Sequence, residues 1–337
     1  TGASDYLTKP FSMKELAARI RANLRTQALA TAVPPALGQG NEAVLERGDL
    51  AGTRLAASYE FLDVIGEGGL GIVFKARHPR LNKLVAIKML LPSRANQTAI
   101  ERFEREARAV SQINHYNVVA VHDYGLTERK RPYIVMDYIE GESLLDKIER
   151  EGPLPLLTTS TILIQVCRGL QEAHDQGIIH RDLKPENIVL QHRSNRADWV
   201  KIVDFGLAHL LEGTRTRLTK EDSVVGTLQF LAPERLRGTP ADARTDIYSL
   251  GVILFEMLTA RQPFEDESMD ALQVKILQES TAAPSLYRED IPPGSAFDRI
   301  VEKSTAKDPQ SRYQSVAEMR LELEQTNSQL RRNRPSG

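Results

Sequence analysis

The chain has 337 residues, of which 41% are hydrophobic and 26% are charged, an ordinary composition for a folded globular protein. Lysine and arginine number 44 against 45 aspartate and glutamate residues, so the formal charge is −1. This balance gives no electrostatic case for nucleic acid or an anionic membrane as the principal partner. The length predicts either two units or one two-lobed domain with an appendage.

Cysteine usage and hydropathy indicate a cytoplasmic protein. The single cysteine, Cys167, lies in an apolar run and cannot form an internal disulfide, which favours a reducing compartment and a buried thiol. The most apolar window, around residues 250–258, is interrupted by Glu256 and is shorter than the roughly 18 apolar residues of a membrane span. The chain begins at Thr1 without a methionine or a leader, so we expect its true start to lie upstream.

The first 29 residues predict a short extended piece followed by a helix. Ser12 and Glu15 form a capping box, and Leu16, Ile20 and Leu24 then follow at helical spacing. Such a fragment is too small to fold alone. Residues 30–58, which are rich in proline and glycine, predict a linker.

A glycine-rich turn lies between two predicted strands at residues 59–65 and 72–76. Gly66, Gly68 and Gly71 are followed by Val73 in the pattern GxGxxGxV, and the missing side chains let backbone N–H groups approach phosphate oxygens. A dinucleotide fold would place a helix directly after the glycines, whereas a strand follows here. A glycine-rich hairpin without a ligand is the alternative.

Lys88 is the one charged residue in the apolar strand predicted for residues 84–91. A buried ammonium group is costly without an anionic partner, which argues for a role; an edge-strand lysine that reaches solvent is the alternative. The helix predicted for residues 97–113 offers Glu106, which flanks its apolar face, and Glu104 is the rival.

The segment HRDLKPENIVL, residues 180–190, is typical of a catalytic loop. Asp182 can accept a proton from a hydroxyl group, Lys184 can neutralise a phosphoryl group, and Asn187 can offer an amide oxygen to a magnesium ion. Asp204 begins the triplet Asp-Phe-Gly, 22 residues after Asp182 and directly after a strand predicted for residues 200–203.

The chain resembles protein kinases, because it has that family's motifs in the same order. These are the glycine turn, VAIK (residues 85–88), HRDLKPEN (180–187), DFG (204–206), Gly-Thr (226–227) and APE (232–234). The position of Lys184, two residues after Asp182, resembles the serine/threonine branch of the family. The resemblance implies an α+β fold of two lobes, a small antiparallel β lobe with one helix and a larger, mainly α lobe. It covers residues 59–325, and residues 326–337 are expected to form a polar tail. A departure is Tyr116, where the family commonly has proline.

The resemblance also implies roles for these residues. Lys88 would hold the α- and β-phosphates of ATP, Glu106 would orient Lys88, and Thr227 would meet Asp182 and Lys184 at the substrate site. Asn187 and Asp204 would hold Mg²⁺, with Mn²⁺ as the alternative ion. The adenine and phosphate pocket would comprise Ile65, Gly66, Gly68, Gly71, Val73, Ala86, Lys88 and Met136, with the backbone of Asp137 and Ile139 bonding the base edge.

An activation segment would run from Asp204 to Glu234. Arg181 is a cation that could pair with a phosphate group added to this segment. Our hypothesis is that the kinase is activated by phosphorylation in trans, through a transient homodimer. The resemblance further implies that Asp246 anchors the catalytic-loop backbone and that Arg312 pairs with Glu234. The candidate phosphorylation sites are Thr214, Thr216, Thr219 and Ser223, each of which could equally be an unmodified surface hydroxyl.

The reaction implied is transfer of the γ-phosphoryl group of MgATP to serine or threonine hydroxyls of proteins. A catalytically silent pseudokinase scaffold is the alternative, although such chains usually lack one of the motif residues that are present here. A small-molecule phosphotransferase would lack the Gly-Thr and APE elements.

Residues 1–29 resemble the last strand and helix of response-regulator receiver domains, in which a pair like Lys9-Pro10 closes the phosphorylation site. The family's phosphoacceptor aspartate is absent from the chain. An unrelated N-terminal helix is the alternative. A receiver completed upstream would imply a histidine kinase as partner in a bacterial signalling pathway.

Overall fold

The computed structural model describes residues 54–67, 71–91, 97–193, 196–205 and 228–333. The receiver-like segment, most of the expected linker, Gly68, Thr227 and the candidate phosphorylation sites Thr214, Thr216, Thr219 and Ser223 therefore lie outside the described residues. A short helix, α1 (Arg54–Ser58), occupies the end of the segment expected to be a linker and precedes the first strand.

The small lobe is a five-stranded antiparallel sheet with strand order β1-β2-β3-β5-β4. The interior strand β3 is buried along most of its length, as expected for a continuous apolar run, whereas the edge strand β1 alternates between exposed and half-buried residues. Helix α2 packs against β4 and β5 through its apolar face. The elements are β1 (Glu60–Glu67), β2 (Gly71–His78), β3 (Lys83–Leu90), α2 (Gln97–Val110), β4 (Val121–Leu126) and β5 (Pro132–Asp137).

The large lobe is helical and surrounds α6, which is apolar nearly all round and buried from Thr245 to Thr259, as the sequence predicts. Two of its helices begin with a capping box, at Ser143 and at Asp242. The helices are α3 (Leu144–Glu151), α4 (Leu156–Asp175), α5 (Pro233–Leu236), α6 (Ala243–Thr259), α7 (Met269–Gln278), α8 (Ala296–Ser304) and α9 (Val316–Arg332).

A small antiparallel sheet carries the functional loops. Its strands are β6 (Glu142–Ser143), β7 (Ile188–Arg193) and β8 (Arg196–Ile202), in that order. The polar residues 191–199 are predicted to be an exposed hairpin end, but β7 and β8 continue through most of them, so the hairpin is longer than expected. Ladder hydrogen bonds between two strands override the local polar composition.

Ser315 and Glu318 have the spacing of a capping box, which predicts the start of a last helix. Helix α9 begins there, because the Ser315 side chain accepts a hydrogen bond from the Glu318 N–H. It continues past residue 325, where the polar tail was expected to begin. Asn327 is buried and its Nδ2 donates to Ser160 Oγ at 2.8 Å and to Thr161 Oγ1 at 3.0 Å. These bonds to α4 hold the last turns of α9 on the large lobe.

Candidate active site

The backbone of the catalytic loop is held by the buried carboxylate of Asp246, at the start of α6. It accepts hydrogen bonds from the backbone N–H groups of His180 and Arg181, each at 2.9 Å, and lies 2.8 Å from His174 Nε2. Burial opposes ionisation of Asp246, but these partners keep its pKa below the ordinary value. The predicted anchor is therefore confirmed. The bonds also fix Arg181 in the left-handed backbone region, at φ 67°.

The candidate base and the candidate phosphate cation lie side by side on this loop. Lys184 Nζ is 3.6 Å from Asp182 Oδ2, and their side chains remain 20% and 24% exposed, so both groups can reach a substrate. Asn187 ends a short 3₁₀ turn, and its Nδ2 donates to the Asp182 carbonyl at 2.8 Å. The loop thus holds these three groups in fixed relation.

The two candidate metal ligands come from paired strands. Ile188 and Ile202 are opposite each other in β7 and β8, and the Val203 N–H donates to the Asn187 carbonyl at 3.0 Å. Asn187 directly precedes β7 and Asp204 follows β8 by two residues, so the sheet brings the two side chains to the same end.

This donor set fits Mg²⁺, which prefers oxygen ligands and takes one or two from the protein while phosphates and water supply the rest. The Asn187 amide nitrogen is engaged by the loop backbone, which leaves its oxygen for a cation. In the part of the chain that the structure describes, no group of three or more histidine, cysteine, aspartate or glutamate residues could hold a metal ion.

Lys88 is buried, with 8% of its surface exposed, and its ammonium group has the anionic partner that burial requires. The partner is Asp204, whose Oδ2 lies 2.9 Å from Lys88 Nζ. Burial of the Asp204 carboxyl opposes ionisation, but Lys88 holds its pKa below the ordinary value. Asp204 has a left-handed backbone, with φ 62°. The ion pair expected between Lys88 and Glu106 is replaced here by one between Lys88 and Asp204.

Glu106 lies on α2 and is also buried, but among the described residues neither of its carboxylate oxygens has a hydrogen-bond partner. Its ion pair is with Arg181, whose Nη1 lies 3.7 Å from Glu106 Oε1. Burial raises the pKa of Glu106 to about 7, and the charge of Arg181 only partly opposes this. The structure therefore joins Lys88 to Asp204 and Glu106 to Arg181.

The adenine-pocket candidates from three strands form one apolar surface. Ala86 and Met136 are opposite each other in β3 and β5, and Val73 and Ile139 pack against the same cluster. Ile65 is 45% exposed at the margin. The Asp137 N–H donates to the Ala120 carbonyl at 3.0 Å, so only the carbonyl of that residue could bond a base edge.

The glycine turn is described at Gly66 and Gly71. Gly66 is opposite Val73 across the β1 and β2 pair. A side chain at Gly71 would collide with the backbone carbonyl of Met89 in β3, so this position requires glycine for packing of the sheet.

Glu234 and Arg312 form a buried pair with two parallel hydrogen bonds. Arg312 Nη2 donates to Glu234 Oε2 at 2.7 Å, and Arg312 Nη1 donates to Oε1 at 2.9 Å. Thr245 Oγ1 donates to the same carboxylate at 3.1 Å. The predicted pair is confirmed, and it fixes the end of the expected activation segment against α6.

Two histidines contribute to the site without having been assigned a role from the sequence. His174 contacts Asp246, and His180 Nε2 lies 3.0 Å from the Val203 carbonyl while its ring packs 4.6 Å from that of Phe205. His180 is the first residue of the catalytic-loop motif and His174 precedes that motif, but only the folded chain brings them to their partners.

A family model described as "Protein kinase domain" matches residues 59–322. The chain belongs to the protein kinase family. A probable serine/threonine-protein kinase of Corynebacterium efficiens is 41% identical over 80% of this chain and 41% of its own length. The serine/threonine-protein kinase PrkC of Bacillus subtilis is 38% identical, over 81% of this chain and 41% of its own. The chain thus spans less than half the length of these two curated relatives.

Solved structures show the same fold. The kinase domain of Mycobacterium tuberculosis PknI superimposes with a TM-score of 0.63 at 24% identity, over 80% of this chain and 96% of that one. The expected α+β fold with an antiparallel small lobe and a helical large lobe is confirmed. Within the described ranges of this kinase chain, no helix combines the length and the apolar character needed to cross a membrane.

Proposed function

We propose that this kinase domain transfers the γ-phosphoryl group of MgATP to serine or threonine hydroxyls of proteins. The observation that carries the proposal is that one loop, fixed by Asp246, holds Asp182, Lys184 and Asn187 together, and that the β7 and β8 pair brings Asp204 to the same end of the sheet as Asn187. The names of the relatives, which are serine/threonine-protein kinases, support the same activity and do not favour a pseudokinase.

The chemistry follows from the positions of the side chains. Asp182 accepts the proton of the substrate hydroxyl while that oxygen forms a bond to the γ-phosphorus and the bond between the γ-phosphorus and the ADP oxygen breaks. Lys184, 3.6 Å from Asp182, offsets negative charge on the phosphoryl group in transfer. Lys88 contacts the α- and β-phosphates, and Thr227 shapes the site for the hydroxyl.

Asn187 and Asp204 would hold the divalent ion, Mg²⁺ or Mn²⁺, which when bound supplies positive charge to the phosphate oxygens. The pocket from Val73, Ala86, Met136 and Ile139 would take the adenine ring, with Ile65 and the glycine turn covering the nucleotide. The backbone of Asp137 and Ile139 would bond the base edge.

The proposed activity is tested with the Asp182→Asn variant. We expect phosphorylation of a generic basic protein substrate to fall by a factor on the order of 10² to 10⁴ while MgATP affinity stays near the wild-type value. Mass spectrometry after incubation with MgATP would report the modified hydroxyls in the same experiment. Full transfer by the variant would refute the role of Asp182, and no transfer by the wild-type protein would refute the activity.

Activation is proposed to occur by phosphorylation in trans, through a transient homodimer, at one of Thr214, Thr216, Thr219 and Ser223. The added phosphate would pair with Arg181, which in this structure is next to Glu106. Replacing the four hydroxyl residues with alanine should abolish the rise in activity that follows preincubation with MgATP. Unchanged activation would exclude this segment as the target.

Residues 1–29 are proposed to end a receiver domain that an upstream histidine kinase would phosphorylate, with residues 30–58 as the linker and the whole acting in the cytoplasm. The Lys9-Pro10 pair supports this assignment. Acetyl phosphate should then alter the activity of the full-length protein but not that of a chain starting near Ala57. Equal responses of the two proteins would contradict it.

A further inference from the structure

Three polar side chains meet on the outer face of the small lobe, beside the segment that joins the two lobes. Lys83 Nζ and His122 Nε2 each lie 2.7 Å from Asp137 Oδ1, and the two nitrogens are 3.1 Å apart. The side chains are 49%, 35% and 24% exposed, respectively. We call Lys83, His122 and Asp137 the hinge triad.

Strand topology explains why these residues converge. Strand β5 lies between β3 and β4, Asp137 is its last residue, and Lys83 is the first residue of β3. The β4 register is interrupted between Val121 and Asp123, which places His122 at an irregularity of the ladder. Irregularities of this kind redirect a side chain, so His122 can reach the end of the neighbouring strand.

The Asp137 carboxylate has two hydrogen-bond partners in the triad, Lys83 and His122. Lys83 and His122 hold the pKa of Asp137 below its ordinary value although partial burial opposes this. The residues that follow are also fixed. Lys75 Nζ lies 4.5 Å from the centre of the Tyr138 ring, and Ile139 packs against the apolar cluster that lines the cleft.

The segment 137–139 is therefore held by contacts of all three of its side chains, while its backbone is the part expected to bond the adenine edge. We propose that the hinge triad sets the position of this backbone, so that Lys83, His122 and the Asp137 side chain are positioning residues for adenine recognition. This inference rests on the proposed function, because it requires that the cleft binds ATP. A backbone held in place before binding loses less conformational entropy when the nucleotide arrives.

The test compares wild type, Asp137→Asn, Lys83→Met and the double variant, with Glu60→Gln as control. Glu60 belongs to an exposed ion pair with Arg77 in the same sheet, 3.8 Å long and outside the hinge. Calorimetry would give the affinities for MgATP and MgGTP, and kinetics would give KM and kcat for ATP. Melting temperatures would show that each variant is folded.

We expect each single substitution to weaken MgATP binding by roughly three- to tenfold, the size of one typical intramolecular hydrogen bond. The double variant should be no more than about twofold weaker than the worse single variant, because both remove the same interaction. The loss should fall on KM rather than on kcat, and the preference for ATP over GTP should shrink. A merely structural contact would not change base preference. The control should match wild type.

Affinity within twofold of wild type for both single variants would overturn the inference, as would losses that multiply in the double variant. An equal loss for MgATP and MgGTP would do the same, because the triad would then act on something other than the base. Lys83 is half exposed, so Lys83→Met is expected to fold even if the Asp137 variant does not. A wild-type protein that binds no MgATP would overturn the proposed function together with this inference.

Discussion

The buried carboxylate of Glu106 makes the stability of this domain depend on pH in a direction that is unusual for an acid. Both of its oxygens are buried without a hydrogen-bond partner in the part of the chain that the structure describes, and its ion pair with Arg181 is long, at 3.7 Å. Replacing it with glutamine keeps the shape and removes the charge. We therefore expect Glu106→Gln to stabilise the resting fold above neutral pH while impairing phosphoryl transfer.

The magnitude follows from the pKa, which burial raises from 4.5 to about 7 in the folded protein. That difference corresponds to about 3 kcal/mol of disfavoured ionisation, which residual solvent contact reduces to about 2 to 3 kcal/mol. Below pH 4.5 the group is protonated in both the folded and the unfolded chain. As pH rises from about 4.5 to 7, the unfolded chain ionises first, so this amount of stability is lost from the wild type and stays lost at higher pH.

The assay is urea denaturation of wild type and Glu106→Gln at pH 5 and pH 8. The advantage of the variant should be about 1 to 2 kcal/mol larger at pH 8 than at pH 5, because roughly 1 kcal/mol of the loss has already occurred at pH 5. Taking the difference cancels the titration of all other groups. Glu104→Gln, on the same helix, is the matched control and should show no such gain. An advantage of the same size at both pH values would refute the argument that the Glu106 carboxylate is desolvated.

Arg312→Met leaves Glu234 buried without its cation and should lower the free energy of unfolding by about 3 to 5 kcal/mol in urea denaturation; a loss under about 1 kcal/mol would contradict this. Asp246→Asn replaces one of the two carboxylate oxygens that accept the catalytic-loop N–H bonds with an NH₂ group, so one of these bonds is lost and kcat should fall at least about tenfold; an unchanged kcat would exclude a positioning role. Gly251→Ala would drive a methyl group into the side chain of Ser304, which should cost about 1 to 3 kcal/mol in thermal unfolding, whereas an unchanged melting temperature would show that α6 and α8 can separate.

The sequence was sufficient where the local pattern and the tertiary requirement agree. Asp246 and the pair of Glu234 with Arg312 could be assigned from motif position, and the structure confirms their hydrogen bonds. Helix α6 was predicted from an apolar run that only a buried helix can satisfy. In each case the local pattern leaves one favourable arrangement: a buried charged group must have its hydrogen-bond partners, and an apolar helix must be buried.

The sequence was insufficient where tertiary contacts decide. Residues 191–199 are polar enough for an exposed hairpin end, and the structure has a hairpin there, but strand pairing extends β7 and β8 through most of these residues. The residues after 325 are polar enough for a tail, yet Asn327 finds two hydroxyl acceptors on α4. The hinge triad could not be foreseen, because Lys83, His122 and Asp137 lie on three separate strands and each alone has the character of a surface residue.

The charges in the cleft show a deeper limit of sequence. Lys88, Glu106, Arg181 and Asp204 are two cations and two anions that can pair in more than one way, and a sequence contains no information on which pairing a given state adopts. In this structure Lys88 pairs with Asp204, and Glu106 is buried without a hydrogen bond to any described residue. A cation bound at Asp204 would compete with Lys88 for that carboxylate. Lys88 would then be free to relieve the desolvated charge of Glu106, so the unfavourable environment of Glu106 itself favours the pairing expected for phosphoryl transfer.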